Sequence, residues 1–160
     1  MKEFTHECHY ALYAFDELSE ADRELVLKAQ EATKHSYAPY SHFHVGAAVR
    51  LADGTIVLGC NQENAAFPSG LCAERTALFA AGAQHPEQGV VALAIAAADA
   101  HGLTSVPTPP CGACRQVMLE SETRAGQPMR ILLFGTQGTY VIEGVGQLLP
   151  LIFDGSFLKE

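Results

Sequence analysis

Apolar positions recur along this chain with two different periods. Leu25, Val26, Ala29 and Ala32 fall three or four residues apart, which puts them on one face of a helix. The preceding Ser19-Glu20-Ala21-Asp22 reads as a helix start, with Ser19 at the N-cap and acids in the first turn. That helix is expected to end near Tyr37-Ala38-Pro39. Two strand-like runs follow, 43–51 and 55–61, separated by Ala52-Asp53-Gly54, and predict an antiparallel hairpin. Residues 72–83 carry Ala, Leu and Phe without a breaker and predict a buried helix. The small apolar run 90–98 suits a central strand. A loop rich in Pro and Thr, 99–110, leads to a further helix at 112–124 with Val117 and Met118 inward. Strands at 130–134 and 139–143 join across Gln137-Gly138. The apolar tail 145–157 reads as core, with a subunit interface as the competing account.

Strands alternating with helices predict an α/β fold, a three-layer α/β/α sandwich around one mixed five-stranded sheet. Residues 4–15 alternate only in part, so residues 1–18 are read as an N-terminal extension offering a peripheral strand. Residues 19–160 are read as a single catalytic domain. A chain of 160 residues, 48% of them hydrophobic, can bury one core and is short for two.

The net charge of -8 opposes a partner held through phosphate neutralisation, so long nucleic acid is not expected. No run approaches the roughly 18 apolar residues of a membrane span, and the amino terminus has no continuous apolar h-region. A cytoplasmic protein without a membrane partner is expected. Five cysteines, an odd number, then read as reduced thiols available for metal work.

Those thiols carry the chemistry. Cys111-x-x-Cys114 lets two sulfurs turn toward one ion when the segment opens a helix, and Cys72 supplies a third from another helix start. A helix N-terminus favours the ionised, ligating thiolate. Three protein ligands leave the fourth position of a zinc ion open to water, as a catalytic site requires. Glu74, two residues after a ligand, can reach that water but is badly placed to bind metal beside Cys72, so its natural role is proton shuttle. A His or Cys with Glu two residues on, followed by Pro-Cys-x-x-Cys, is the signature of zinc deaminases. Three thiolates around Zn²⁺ carry an excess negative charge. Arg75 and Gln116 are therefore expected as hydrogen-bond donors to the sulfurs.

Blander accounts stand beside this one. Cys60 could close a structural four-thiolate site, and Cys111-Gly112-Ala113-Cys114 could be a redox pair, although neither explains Glu74. Cys8 and Cys60 read as a peripheral thiol and a small strand hydrophobe. His35, His42 and His44 read as surface or hydrogen-bonded histidines, because no acid or thiol lies at ligand spacing from them. Asn61-Gln62-Glu63-Asn64 is a polar turn on the bland reading. In a nucleoside pocket, the Glu63 carboxylate can accept a sugar hydroxyl.

Together these residues resemble one family, the small homotetrameric cytidine deaminases. The likeness runs through 37–43, 59–65, Cys72-Ala73-Glu74-Arg75-Thr76-Ala77, 110–116 and Leu148-Leu149-Pro150 with Phe153. It implies one zinc per subunit on Cys72, Cys111 and Cys114, with Glu74 as the catalytic proton shuttle. It also implies a ribose held by Asn61 and Glu63, a base packed on Phe43, and a pocket that includes Ala73. Sites at the subunit boundaries of a homotetramer would draw Phe67 and Phe153 into a neighbour's pocket. The implied reaction is hydrolytic deamination of free cytidine and deoxycytidine in pyrimidine salvage. Alternatives are a deaminase of a modified cytosine nucleoside, such as an aminoacylnucleoside antibiotic, or a non-catalytic zinc-binding module. Asn61-x-Glu63-Asn64 favours the simpler sugar. Phe67 stands where the family often has Tyr, and Asp154-Gly155 where it often has Gly-Pro.

Overall fold

A computed structural model describes residues 1–158; the last two positions of the expected catalytic domain lie outside the described residues. Helix α1, Glu20–Thr33, begins where Ser19 Oγ accepts the Asp22 backbone N–H at 3.1 Å. It ends earlier than its pattern predicts. Past Lys34 the chain turns away so that the Tyr37 N–H can reach the Asn61 carbonyl at 3.0 Å, and this pairing displaces the last helical turn.

The predicted hairpin is present as β2, His44–Leu51, and β3, Ile56–Cys60. Helix α2 covers Ala73–Gln84, β4 covers Val90–Asp99 and α3 covers Gly112–Ala125. Gly126, with φ at 68°, ends α3 in the left-handed conformation that glycine adopts without strain. Strands β6, Arg130–Gly135, and β7, Gly138–Glu143, complete the five expected strands.

Among the described residues the sheet has seven strands rather than five. Ala11–Tyr13 forms β1, antiparallel to β7 at one edge, and Gly102–Leu103 forms β5 beside the end of β4. The order is β1-β7-β6-β4-β2-β3, mixed because β4 and β6 run parallel across the α3 connection.

The two faces of the sheet differ in size of side chain. Val49, Leu93, Ile95, Ile131 and Leu133 pack with Met118, Leu119 and Leu78 on the α2/α3 side. Ala48, Ala92, Ala94 and Ala96 face Leu25, Val26 and Ala29 of α1. Period-2 alternation within each strand thus builds two cores, and the alanines let α1 sit close. Two glycines set the closest approaches. A Cβ at Gly46 would lie 2.1 Å from the Ala29 carbonyl, and one at Gly59 would lie 2.3 Å from the Ala77 nitrogen. The second of these holds the start of α2 tight against β3, and that helix start carries Cys72 and Glu74.

Candidate active site

Cys72 and Cys111 occupy the N-cap positions of α2 and α3, and neither makes a capping hydrogen bond. Each stands where a Ser or Asp oxygen would ordinarily answer the first N–H groups of the helix. The Cys72 and Cys111 sulfurs lie 3.8 Å apart, and those of Cys111 and Cys114 lie 3.4 Å apart. All three fall within 4.8 Å of one another. Zn–S bonds of about 2.3 Å in a tetrahedron require sulfurs roughly 3.8 Å apart, so the set fits zinc with small adjustment. No other group of three metal-ligating side chains occurs among the described residues. Cys60 is not a fourth ligand: its sulfur donates to the His35 carbonyl at 3.2 Å and accepts from Gln62 Nε2.

The electrostatics suit a metal. A hydrogen bond from the Cys114 thiol, reinforced by Arg75, holds Cys72 down at about 5, while its role as that donor, with burial, pushes Cys114 up. Arg75 Nη2 approaches Cys72 Sγ at 3.8 Å, the contact expected of a counter-charge. Its Nε–H is buried without a partner among the described residues. Glu74 is 4% exposed. Burial pushes its carboxyl up, and the charge of Cys72 adds to the effect.

A cavity of about 650 Å³ opens over the sulfurs, within the usual range for small-molecule sites. Cys72, Cys111, Glu74 and Arg75 line one end, with Ile95 of β4 and Val45 of β2 below. Phe43, Asn61, Glu63 and Phe67 line the rest, so these four expected residues come together with the sulfurs.

The loop that carries them is pinned at both sides. Asn61 Nδ2 donates to the Phe43 carbonyl at 2.9 Å, and its Oδ1 accepts the Val45 N–H at 2.8 Å. The amide thus locks the start of β2 as well as facing the cavity. Glu63 Oε2 accepts the backbone N–H of Tyr40 at 2.8 Å and of Ser41 at 3.3 Å. The Ser41 hydroxyl, with these N–H groups, holds the Glu63 carboxyl below its ordinary value.

Two expected site residues, Ala73 and Gln116, lie elsewhere, and Phe153, expected to serve a neighbour's pocket, does not line this one. Ala73 is fully buried in the α2/α3 core and does not line the cavity. Gln116, expected on the sulfurs, instead donates from Nε2 to the Phe153 carbonyl at 2.8 Å. Two residues past Cys114, it falls on the opposite side of α3, so it cannot share the ligand's direction. Phe153 stacks on Phe157 at 5.6 Å and lies outside this cavity. Sequence reasoning missed Tyr40 and Ser41, whose backbone groups have no signature in residue type, and Leu71, Thr108 and Pro109 on the rim.

Comparisons with known proteins match this arrangement. A family model described as the cytidine and deoxycytidylate deaminase zinc-binding region matches residues 19–127. A cytidine deaminase of Halalkalibacterium halodurans is 42% identical over 140 residues, 87% of this chain and 96% of that protein. One from Sporosarcina psychrophila is 41% identical over 86% of this chain and 91% of its own. The crystal structure of cytidine deaminase from Burkholderia pseudomallei is similar with a TM-score of 0.72 and 38% identity, covering 85% of this chain and 100% of that one.

Proposed function

The chain belongs to the cytidine deaminase family, and from that premise we propose that it hydrolyses free cytidine and deoxycytidine to uridine and deoxyuridine, with release of ammonia, in pyrimidine salvage. The observation that carries the reading is the convergence of three sulfurs and a buried carboxyl at one end of a nucleoside-sized cavity. Cys72, Cys111 and Cys114 would hold one zinc ion per subunit. When bound, zinc supplies Lewis-acid activation of a water molecule.

Glu74 moves the protons. It takes one from the attacking water and delivers it to ring N3 as C4 becomes tetrahedral; it then takes the remaining hydroxyl proton from the oxygen on C4 and passes it to the amine, so that the C4–N bond breaks, ammonia leaves and the C4 carbonyl forms. Its raised pKa brings it nearer the working pH, where one carboxyl can act as base and then as acid. Arg75 offsets the thiolate charge. Glu63, kept ionised by Ser41 and the Tyr40 N–H, accepts a ribose hydroxyl; Asn61 shares the sugar, and Phe43 packs against the base.

Residues 19–160 form the catalytic domain on this reading, and residues 1–18 an added arm. The working protein is a cytoplasmic homotetramer with sites at subunit boundaries. Phe67 and Phe153, both more than half exposed, would then serve a neighbouring pocket. No helix among the described residues is long and apolar enough to cross a membrane.

Ammonia release from cytidine, deoxycytidine and dCMP, measured on metal-quantified protein, tests the reading. Turnover of both nucleosides is expected. A zinc-loaded protein that releases no ammonia from either would overturn it.

A further inference from the structure

The residue after the second cysteine of the Cys-x-x-Cys pair makes contacts that the chemistry above does not use. Arg115 is partly buried; its Nε donates to the Pro110 carbonyl at 2.9 Å and its Nη1 to the Leu148 carbonyl at 3.0 Å. Pro110 precedes Cys111, so the guanidinium grips the peptide unit that carries a sulfur into the N-cap of α3. Leu148 closes a 3-10 turn, Val145–Leu148, where the C-terminal segment begins. The adjacent Gln116 holds the Phe153 carbonyl further along that segment. The first turn of α3 therefore carries one metal ligand and also fastens residues 148–153.

We infer that Arg115 is a positioning residue that fixes the Cys111 loop against the C-terminal segment, so that metal retention and the placement of residues 148–153 are coupled through one guanidinium. The inference rests on Cys111 and Cys114 being zinc ligands. Only a planar fork suits the role, because it serves two carbonyls in fixed directions at once, whereas a lysine ammonium is a single point donor. Supporting groups outside a metal's ligands typically change metal affinity by about 10- to 100-fold when removed. Coupling of this kind is reciprocal: an ordered metal loop helps to place the segment, and the segment helps to keep the metal.

Zinc release from the full-length, zinc-loaded protein into excess chromogenic chelator, well below the unfolding temperature, provides the test. Arg115→Gln is expected to release zinc at least about tenfold faster than the parent and to raise KM for cytidine. Arg115→Lys should fall between the two. Gln116→Ala, which frees the segment at Phe153 but leaves the Arg115 fork in place, should raise KM and speed zinc release less than Arg115→Gln does. A merely structural role would lower Tm in all three variants and leave release below that temperature alone. Arg115→Gln releasing zinc at the parental rate would overturn the inference; if that variant does not fold, parental release by Arg115→Lys does so instead. Cys111→Ala separates the two readings. Retention of a full zinc complement there removes the ligand assignment itself, whereas lost zinc there with normal release from the Arg115 variants removes only the coupling.

Discussion

Gly59→Ala puts one methyl group between β3 and α2, and its consequence can be worked from distances. The added Cβ would lie 2.3 Å from Ala77 N, 2.6 Å from Ala73 O and 2.8 Å from Ala77 Cα. All three neighbours are backbone atoms, so no side-chain rotation relieves the contact. Ordinary van der Waals separation begins near 3.4 Å, so α2 must withdraw by about 1 Å or β3 must bend. Overpacking of this kind costs about 1–3 kcal/mol, which for a domain of this size lowers Tm by roughly 2–4 °C per kcal/mol. The catalytic penalty should be larger, because Cys72 and Glu74 ride on the displaced end of the helix. A misplacement of about 1 Å in a catalytic group can cost on the order of 100-fold in rate. We expect kcat for cytidine to fall by about two orders of magnitude while zinc content drops only in part. Calorimetry, metal quantification and steady-state kinetics on one preparation check this. Parental kcat with parental Tm would show that α2 is not held at Gly59, and the account of how the site is positioned would fail.

Other outcomes follow from the same geometry. Glu74→Gln should keep zinc and lose about 100- to 10,000-fold or more in kcat; full turnover would remove Glu74 from the proton path. Glu63→Ala should weaken nucleoside binding far more than binding of free cytosine, and equal losses on both would take Glu63 out of the sugar site. Because Ser41 and the Tyr40 N–H depress its pKa, Glu63 stays ionised down through its ordinary value, so its protonation should raise KM only in more acid solution. A KM that climbs between pH 7 and about 5 in the parent but not in Glu63→Gln would contradict that sign. Ser19→Ala removes the α1 cap and should cost about 1 kcal/mol in thermal stability with kcat unchanged. Asp22→Ala removes the buried carboxylate that accepts from Arg130, 2.9 Å away, and, because Arg130 is a third exposed and keeps Glu143, should cost about 1–2 kcal/mol by denaturant titration.

The helices and long strands were legible because each hides one face, and burial imposes a period on the residue types. The metal centre was legible for a different reason: few residue types bind zinc, so Cys72, Cys111 and Cys114 at helix starts leave little choice. What escaped depends on backbone groups and on chain reversals. Nothing in residues 34–37 forbids another helical turn; Tyr37 leaves the helix because its N–H finds the carbonyl of Asn61, just past the end of β3. Strand β5, of two residues, is too short to show a period. Asn61 was expected at the sugar, but its lock on the start of β2 was not legible, because its partners are the carbonyl of Phe43 and the N–H of Val45, which every residue possesses. Gln116 turns away from the sulfurs to the Phe153 carbonyl although it lies two residues from Cys114, because two residues along a helix reverse the direction of a side chain.

Two helices in this fold begin with a cysteine where a capping serine or aspartate would ordinarily sit, and neither cysteine caps. The leading N–H groups of both helices thus have no side-chain acceptor at the cap. An ion shared by both starts acts as a common rivet, joining segments 39 positions apart. By chain-entropy reasoning, closing a loop of that length is worth about 4 kcal/mol against the unfolded state, comparable to a disulfide. The cofactor is then a structural component as well as a catalytic one, and chelating it is expected to lower Tm together with turnover.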